Sequence, residues 1–354
     1  MNKALSSHPL SLLTLSLIAL CLTGCAGRST PTPTPSHPPF PTTADHGTHN
    51  KVAEWWYFTG DLQTDTAARL GYELTVFKAV LPQGTFFVWH LAATDLATSR
   101  HTFVEAASDE SVGSVPPGQL AFAYEGFGYA FSEDDGFHLT ATTASLSADL
   151  RLKPTHPPLP HGEDGNIAMG DGRDSAYYSF TNLATEGTLV VDGVTHAVSG
   201  RSWMDHQWGN FTEKGLWWDW FSLRLDDGGA LMLFQFRDET GAATRSSWTF
   251  RGTDGAIRYG EALTIQAART FEDPDAVYPI DWTVEVPDLD ATLRVRPLLD
   301  AQSLYGVSTP SYWEGLCTVE GTLGGAPVSG SAFVELTGYE KVPRESQGHA
   351  TPAP

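Results

Sequence analysis

The chain of 354 residues has little cysteine, little basic charge and no long apolar run beyond its first 25 residues. Three Cys cannot build a disulfide scaffold. Twenty-one Lys and Arg face 42 Asp and Glu, and the formal charge of −21 repels phosphate backbones, so no nucleic-acid partner is expected. No later apolar run approaches the roughly 20 residues of a membrane-spanning helix. Phosphate-cradling Gly loops, dinucleotide fingerprints and Gly-x-Ser-x-Gly elbows are missing, so nothing points to a cofactor or to a serine hydrolase. Strong helix formers rarely run together for three turns. What is present is 41% hydrophobic residues and 11 Trp, too apolar for a disordered chain.

The first residues read as an export signal. Lys3 precedes an apolar stretch from Leu10 to Leu22, which ends in Leu22-Thr23-Gly24-Cys25. That ending resembles the lipobox of bacterial lipoproteins. The resemblance implies removal of residues 1–24, lipidation of Cys25, and a folded part held outside the cytoplasm in the bacterial envelope by a membrane lipid anchor. Residues 25–46 contain Thr-Pro-Thr-Pro-Thr-Pro and are expected to form a semi-rigid tether. Residues 343–354 are expected to be a flexible tail. Cys21 then leaves with the signal, Cys25 carries lipid, and Cys317 is the cysteine of the folded region. Its setting, Leu316-Cys317-Thr318-Val319, reads as a strand and a buried small residue.

Between these ends the pattern is strand, turn, strand. Alternation is clear in Gly71–Phe77 and Leu231–Phe236, and Asp-Gly pairs at 135, 192, 227 and 254 signal hairpins. The fold class is all-β, many-stranded and antiparallel. Glu186-Gly187-Thr188-Leu189 matches Glu320-Gly321-Thr322-Leu323, and Val198-Ser199-Gly200 matches Val328-Ser329-Gly330, both at a shift of 134. Trp56-Tyr57-Phe58-Thr59 resembles Trp220-Phe221-Ser222 with its preceding Asp219. Two related domains follow, residues 47–212 and 213–342, each a small barrel or sandwich. The first is longer chiefly through residues 153–176, rich in Pro and then Gly, which read either as a functional loop or as a surface excursion.

Trp is concentrated. Trp203, Trp208, Trp217, Trp218 and Trp220 lie within eighteen residues, and Trp55-Trp56 and Trp313 stand beside Glu54, Tyr57 and Glu314. Trp is awkward in a core because its N–H needs a partner. Aromatic walls mixed with Glu54, Asp205, His206 and Asp219 suggest a small-molecule site, against the plainer reading of packing between two barrels. Glu54-Trp55-Trp56-Tyr57-Phe58, Trp89-His90-Leu91-Ala92, Trp203-Met204-Asp205-His206-Gln207-Trp208-Gly209, Asp219-Trp220-Phe221 and Tyr312-Trp313-Glu314-Gly315 resemble the AttH-type and carotenoid 1,2-hydratase family. The resemblance implies two tandem lipocalin-like β-barrels, an apolar ligand such as an isoprenoid or lipid, ABC-transport components as partners, and either carriage of that ligand or hydration of a C=C bond without a cofactor. It also implies a His-x-Trp pair, matched by His206-Gln207-Trp208, and a later Tyr-x-Asp pair, matched at Asp219 only because Trp217 stands in place of Tyr. Asp219 as acid, His206 as base and Trp208 as cation-stabilising wall are the catalytic candidates. Glu54, Trp55, Trp56, Tyr57, Asp205, Trp217, Trp218, Trp220, Trp313 and Glu314 are the ligand-binding candidates. Asp219 could instead pair with Arg224 or Arg237. His46 and His49 are spaced for a metal, but their loop shows no further nearby ligands, so no metal is expected.

Overall fold

The computed structural model describes residues 40–109, 120–170, 172–211 and 216–341. The expected signal peptide, Cys25, the tether up to residue 39 and the tail from 343 lie outside the described residues. Residues 40–46 belong to the fold rather than to a spacer. Phe40 packs against Tyr178 and Trp208, and a 3-10 turn at Thr43–His46 brings His46 onto Phe131.

Among the described residues twelve strands make the first sheet: β1 (Ala53–Thr64), β2 (Arg69–Leu81), β3 (Gly84–Asp95), β4 (Arg100–Asp109), β5 (Leu120–Tyr124), β6 (Phe127–Ser132), β7 (Gly136–Thr142), β8 (Leu146–Pro154), β9 (Leu159–Pro160), β10 (Asn166–Gly170), β11 (Arg173–Val191) and β12 (Val194–Gly209). Their order is β4-β3-β2-β1-β12-β11-β8-β7-β6-β5, with β9 and β10 also on β11. Ten strands of the described residues make the second: β13 (Trp217–Leu225), β14 (Ala230–Arg237), β15 (Ala243–Arg251), β16 (Ile257–Gly260), β17 (Thr264–Glu272), β18 (Val277–Val286), β19 (Ala291–Pro297), β20 (Ser303–Leu304), β21 (Tyr312–Leu323) and β22 (Ala326–Leu336). Their order is β16-β15-β14-β13-β22-β21-β19-β18-β17, with β20 on β21.

The two paths are the same plan used twice. The opening aromatic strand of each half lies between its next hairpin and the last strand of that half, β1 beside β12 and β13 beside β22. The repeated motifs hold equivalent positions. Gly187 in β11 and Gly321 in β21 have φ of 149° and 153°, and a side chain on either would strike the neighbouring strand's carbonyl at Asp149 or Thr292. Only glycine fits both demands. Asp192 and Gly193 both take positive φ, as the tight hairpin at that Asp-Gly pair requires. Among the described residues no ladder joins β4 to β5 or β16 to β17, so each sheet is curled but open at that seam.

Strand alternation sorts the side chains into three layers. Trp56, Phe58, Leu74, Met204 and Trp208 fill the hollow of the first sheet. Phe221, Leu223, Trp282, Trp313 and Cys317 fill that of the second, where Cys317 is a buried free thiol. The outer faces of the two sheets pack on each other through Trp55, Tyr57, Tyr177, Trp203, Trp218, Trp220, Leu316 and Phe333. β1 is therefore buried on both faces, which is why its sequence reads as a nearly unbroken aromatic run. Residues 153–176 are not a free loop: β9 and β10 dock them on β11.

Close packing around β1 makes one position severe. A Cβ on Gly60 would lie 2.1 Å from the Tyr72 ring and 2.7 Å from Ser202 Oγ. Tyr72 is held there by its hydroxyl, 2.7 Å from Ser202 Oγ. Gly60→Ala is expected to cost about 1–3 kcal/mol in denaturant unfolding through overpacking. An unchanged midpoint would show that the Tyr72 ring moves freely.

Candidate functional site

Alternation along β12 splits its motif between two layers. Trp203, Asp205 and Gln207 face the layer between the sheets, while Met204, His206 and Trp208 face the hollow of the first sheet. The motif therefore supplies two separate polar centres.

The inter-sheet centre is built on Asp205. Register places Ser179 of β11 opposite Asp205, with Tyr177 two residues away on the same face. Tyr177 OH donates to Asp205 Oδ2 at 2.6 Å, Trp203 Nε1 donates to Oδ1 at 2.5 Å, and Ser179 Oγ donates to Oδ1. Trp220 Nε1 in turn donates to Tyr177 OH at 3.0 Å. Burial nonetheless pushes the Asp205 carboxyl up to about 7, against the pull of those three donors. Asp205 lines a cavity of about 20 Å³, room for a water. Its walls are Trp55, Tyr57, Phe77, Trp218, Trp220 and Phe234, with Gln207 and Glu335 adding polar edges. Tyr57 OH donates to Glu314 Oε1 at 2.6 Å. Burial, then the charges of Glu335 and Glu73, push the Glu314 carboxyl well above the usual carboxylate range.

The second centre lies at the end of the first sheet's hollow. His206 Nε2 is 3.0 Å from Glu54 Oε1, and His206 Nδ1 is 3.0 Å from Tyr178 OH. Glu54 also meets His49 Nδ1 at 2.8 Å and Lys78 Nζ at 2.8 Å. Burial raises Glu54, but His206, His49 and Lys78 outweigh it and hold the carboxyl down at about 2. Burial lowers His206 to about 4, so the imidazole is neutral at pH 7. Trp56 stacks on His206 with ring centres 4.7 Å apart, and His49 lies flat on Trp208 at 3.7 Å. The expectation that His49 has no further nearby ligands is overturned, because the turn after residue 46 folds back over Glu54.

The structure does not unite the three catalytic candidates. Asp219 shares the face of Phe221 and points into the second sheet's hollow, away from His206 and Trp208. There it accepts from Arg237 Nε at 3.2 Å and Tyr339 OH at 2.9 Å, the structural pairing with Arg237. Trp313 is also core, its Nε1 donating to Asp300 O at 2.7 Å. Trp217 lies half-buried against Gly338, where a Cβ would meet its ring at 2.1 Å. Of the ligand-binding candidates, Trp55, Tyr57, Asp205, Trp218 and Trp220 meet at the cavity, with Glu314 behind Tyr57, whereas Glu54 and Trp56 join His206. Sequence reasoning missed Tyr177, Ser179, Phe77, Glu335, Tyr178 and Lys78. Lone charges inside apolar strands, at Glu73, Lys78 and Glu335, were the available signal.

An all-β protein of two like sheets, with a proton-exchanging carboxyl on the wall of an aromatic cavity between them, is the class these features define. The chain belongs to the AttH-like family, whose model matches residues 32–339. An AttH crystal structure from Nitrosomonas europaea is 28% identical, with a TM-score of 0.76 over 86% of this chain and 98% of that one. Dehydratase asqC of Emericella nidulans is 24% identical over 285 residues, 75% of this chain and 81% of the relative. Kievitone hydratase of Fusarium solani subsp. phaseoli is 23% identical over 172 residues, 45% of this chain and 48% of the relative. The two relatives with named activities thus remove or add water.

Proposed function

We propose that the protein is a hydro-lyase that works without a cofactor, adding water to or removing it from a C=C bond of an apolar substrate held between the two sheets. The observation that carries this reading is Asp205: a carboxyl buried among aromatic rings, poised to gain and lose a proton near neutrality, on the wall of a cavity. In the hydration direction Asp205 gives its proton to one alkene carbon. The π-faces of Trp55, Trp218 and Trp220 favour the positive charge that develops on the other. Water adds there, and its proton returns to Asp205, so the site is restored. Tyr57, backed by Glu314, is placed to hold the water that enters or the hydroxyl that leaves. Phe77 and Trp55 are the least buried aromatic walls and are the ones a substrate would displace.

Carriage of an isoprenoid or lipid for an ABC-transport system is less well supported. A carrier gains nothing from burying Asp205 and Glu314, which costs desolvation, and the named relatives are a dehydratase and a hydratase. On the favoured reading the enzyme would work in the envelope, tethered by lipid on Cys25. The test is incubation of the purified protein with a panel of apolar alkenes and the matching alcohols in H2 18O. Enzyme-dependent appearance of 18O-labelled alcohol is expected. Tight binding of panel members with no label exchange in either direction would favour the carrier.

A further inference from the structure

The proposed chemistry leaves the Glu54 centre unused, and its geometry is that of a ligand set. His49, Glu54 and His206, coming from the turn before β1, from β1 and from β12, each offer a ligand atom, and these atoms lie within 4.8 Å of one another. Glu54 Oε1 is 2.8 Å from His49 Nδ1 and 3.0 Å from His206 Nε2. Two imidazoles and one carboxylate oxygen suit a borderline-soft divalent cation such as Zn²⁺, with a fourth position left for water.

Each ligand is also oriented from behind, as metal ligands commonly are. His206 Nδ1 is 3.0 Å from Tyr178 OH, His49 Nε2 is 3.8 Å from Asp45 Oδ1, and Lys78 Nζ sits on the far oxygen of Glu54 at 2.8 Å. Lys78 therefore balances the carboxylate without occupying the oxygen that faces the histidines. The tautomers allow the exchange. Without an ion, His206 Nε2–H donates to Glu54 and Nδ1 accepts from Tyr178. With one, the His206 proton sits on Nδ1 and donates to Tyr178, whose hydroxyl turns to His46 Nδ1, 2.6 Å away. No proton need leave His206. Glu54 and His206 are sealed, whereas the His49 side chain keeps 19% exposure and offers the way in.

We propose that His49, Glu54 and His206 form a zinc-class divalent cation site that fastens the turn before β1 to the end of the first sheet's hollow. The full chain, stripped with chelator and dialysed, is titrated with Zn²⁺ by calorimetry and with Co²⁺ by visible absorption. One ion per chain and the intense absorption of four-coordinate Co²⁺ are expected. His49→Ala changes only the turn and should weaken binding at least about 100-fold while circular dichroism stays that of the parent. Glu54→Gln is the second variant, and His138→Ala, on the exposed pair with Asp149, is the control that should bind normally. No ion bound by the parent, or folded His49→Ala and Glu54→Gln chains that bind as the parent does, would overturn the site and leave a hydrogen-bonded cluster. Loss of binding in His138→Ala alone would overturn it in favour of a surface ion.

Discussion

Asp205→Asn is expected to lower turnover by about 10²–10⁴-fold while the chain stays folded, because the variant removes the only proton Asp205 can exchange. The side-chain carbonyl of Asn can still accept from Ser179 and Trp203, and its amide can donate to Tyr177 oxygen, so of these bonds only the Tyr177 O–H loses its acceptor. Hydration needs the acid form, so the parent rate should fall as pH rises through about 7, the value to which burial lifts Asp205. Rates of 18O incorporation at several pH values, beside melting curves, measure both effects. Asp219→Asn is the contrasting variant. Its carboxyl serves Arg237 and Tyr339 in the other hollow, so its loss should lower stability and leave turnover within about tenfold. Full activity in Asp205→Asn, or loss of activity in a well-folded Asp219→Asn, would move the chemistry elsewhere.

Glu73→Gln is expected to stabilise the protein at neutral and alkaline pH. Glu73 is 1% exposed on β2 and faces the inter-sheet layer, and burial pushes its carboxyl up to about 8, with Thr75 offsetting this only in part. The unfolded chain loses that proton near 4.5, so between about 4.5 and 8 folding must take a proton up. The resulting penalty is absent below about 4.5, grows as pH rises, and reaches about 3 kcal/mol at pH 7 by linkage. Gln carries no such penalty. Denaturation midpoints of the two chains should coincide near pH 4 and separate steadily toward pH 8. Asp205 and Glu314 titrate in the same direction, so the parent should also lose stability as pH rises above about 6.5, where the buried histidines no longer oppose them. A pH-independent difference would mean that Glu73 is ionised in the folded state.

Much of the architecture was legible. The matched Glu-Gly-Thr-Leu and Val-Ser-Gly segments announced a duplicated β plan, because their glycines answer a steric need that recurs wherever the same hairpin crosses the same neighbour. Asp-Gly pairs marked the turns because few other dipeptides take positive φ cheaply. Cys317 read as core because a small apolar residue between strand formers has little else to do.

The candidate site was only half legible. Composition and motif density identified Trp55, Tyr57, Asp205, Trp218, Trp220 and Glu314 as unusual; the first five meet at one cavity, and Glu314 stands behind Tyr57. They could not show that Asp205 and His206, adjacent in the chain, serve different centres, although the period-two alternation of a strand requires it once both faces are known to be buried. The sequence by itself determined the β class, the repeat, the turns and the list of residues that must find partners. Only the tertiary structure decided which partners they found, because register between distant strands and the packing of one sheet on another set which side chains share a face. That placed Glu54, His49 and His206 around one point, Asp205 on a cavity, and Asp219 beside Arg237 on the far side.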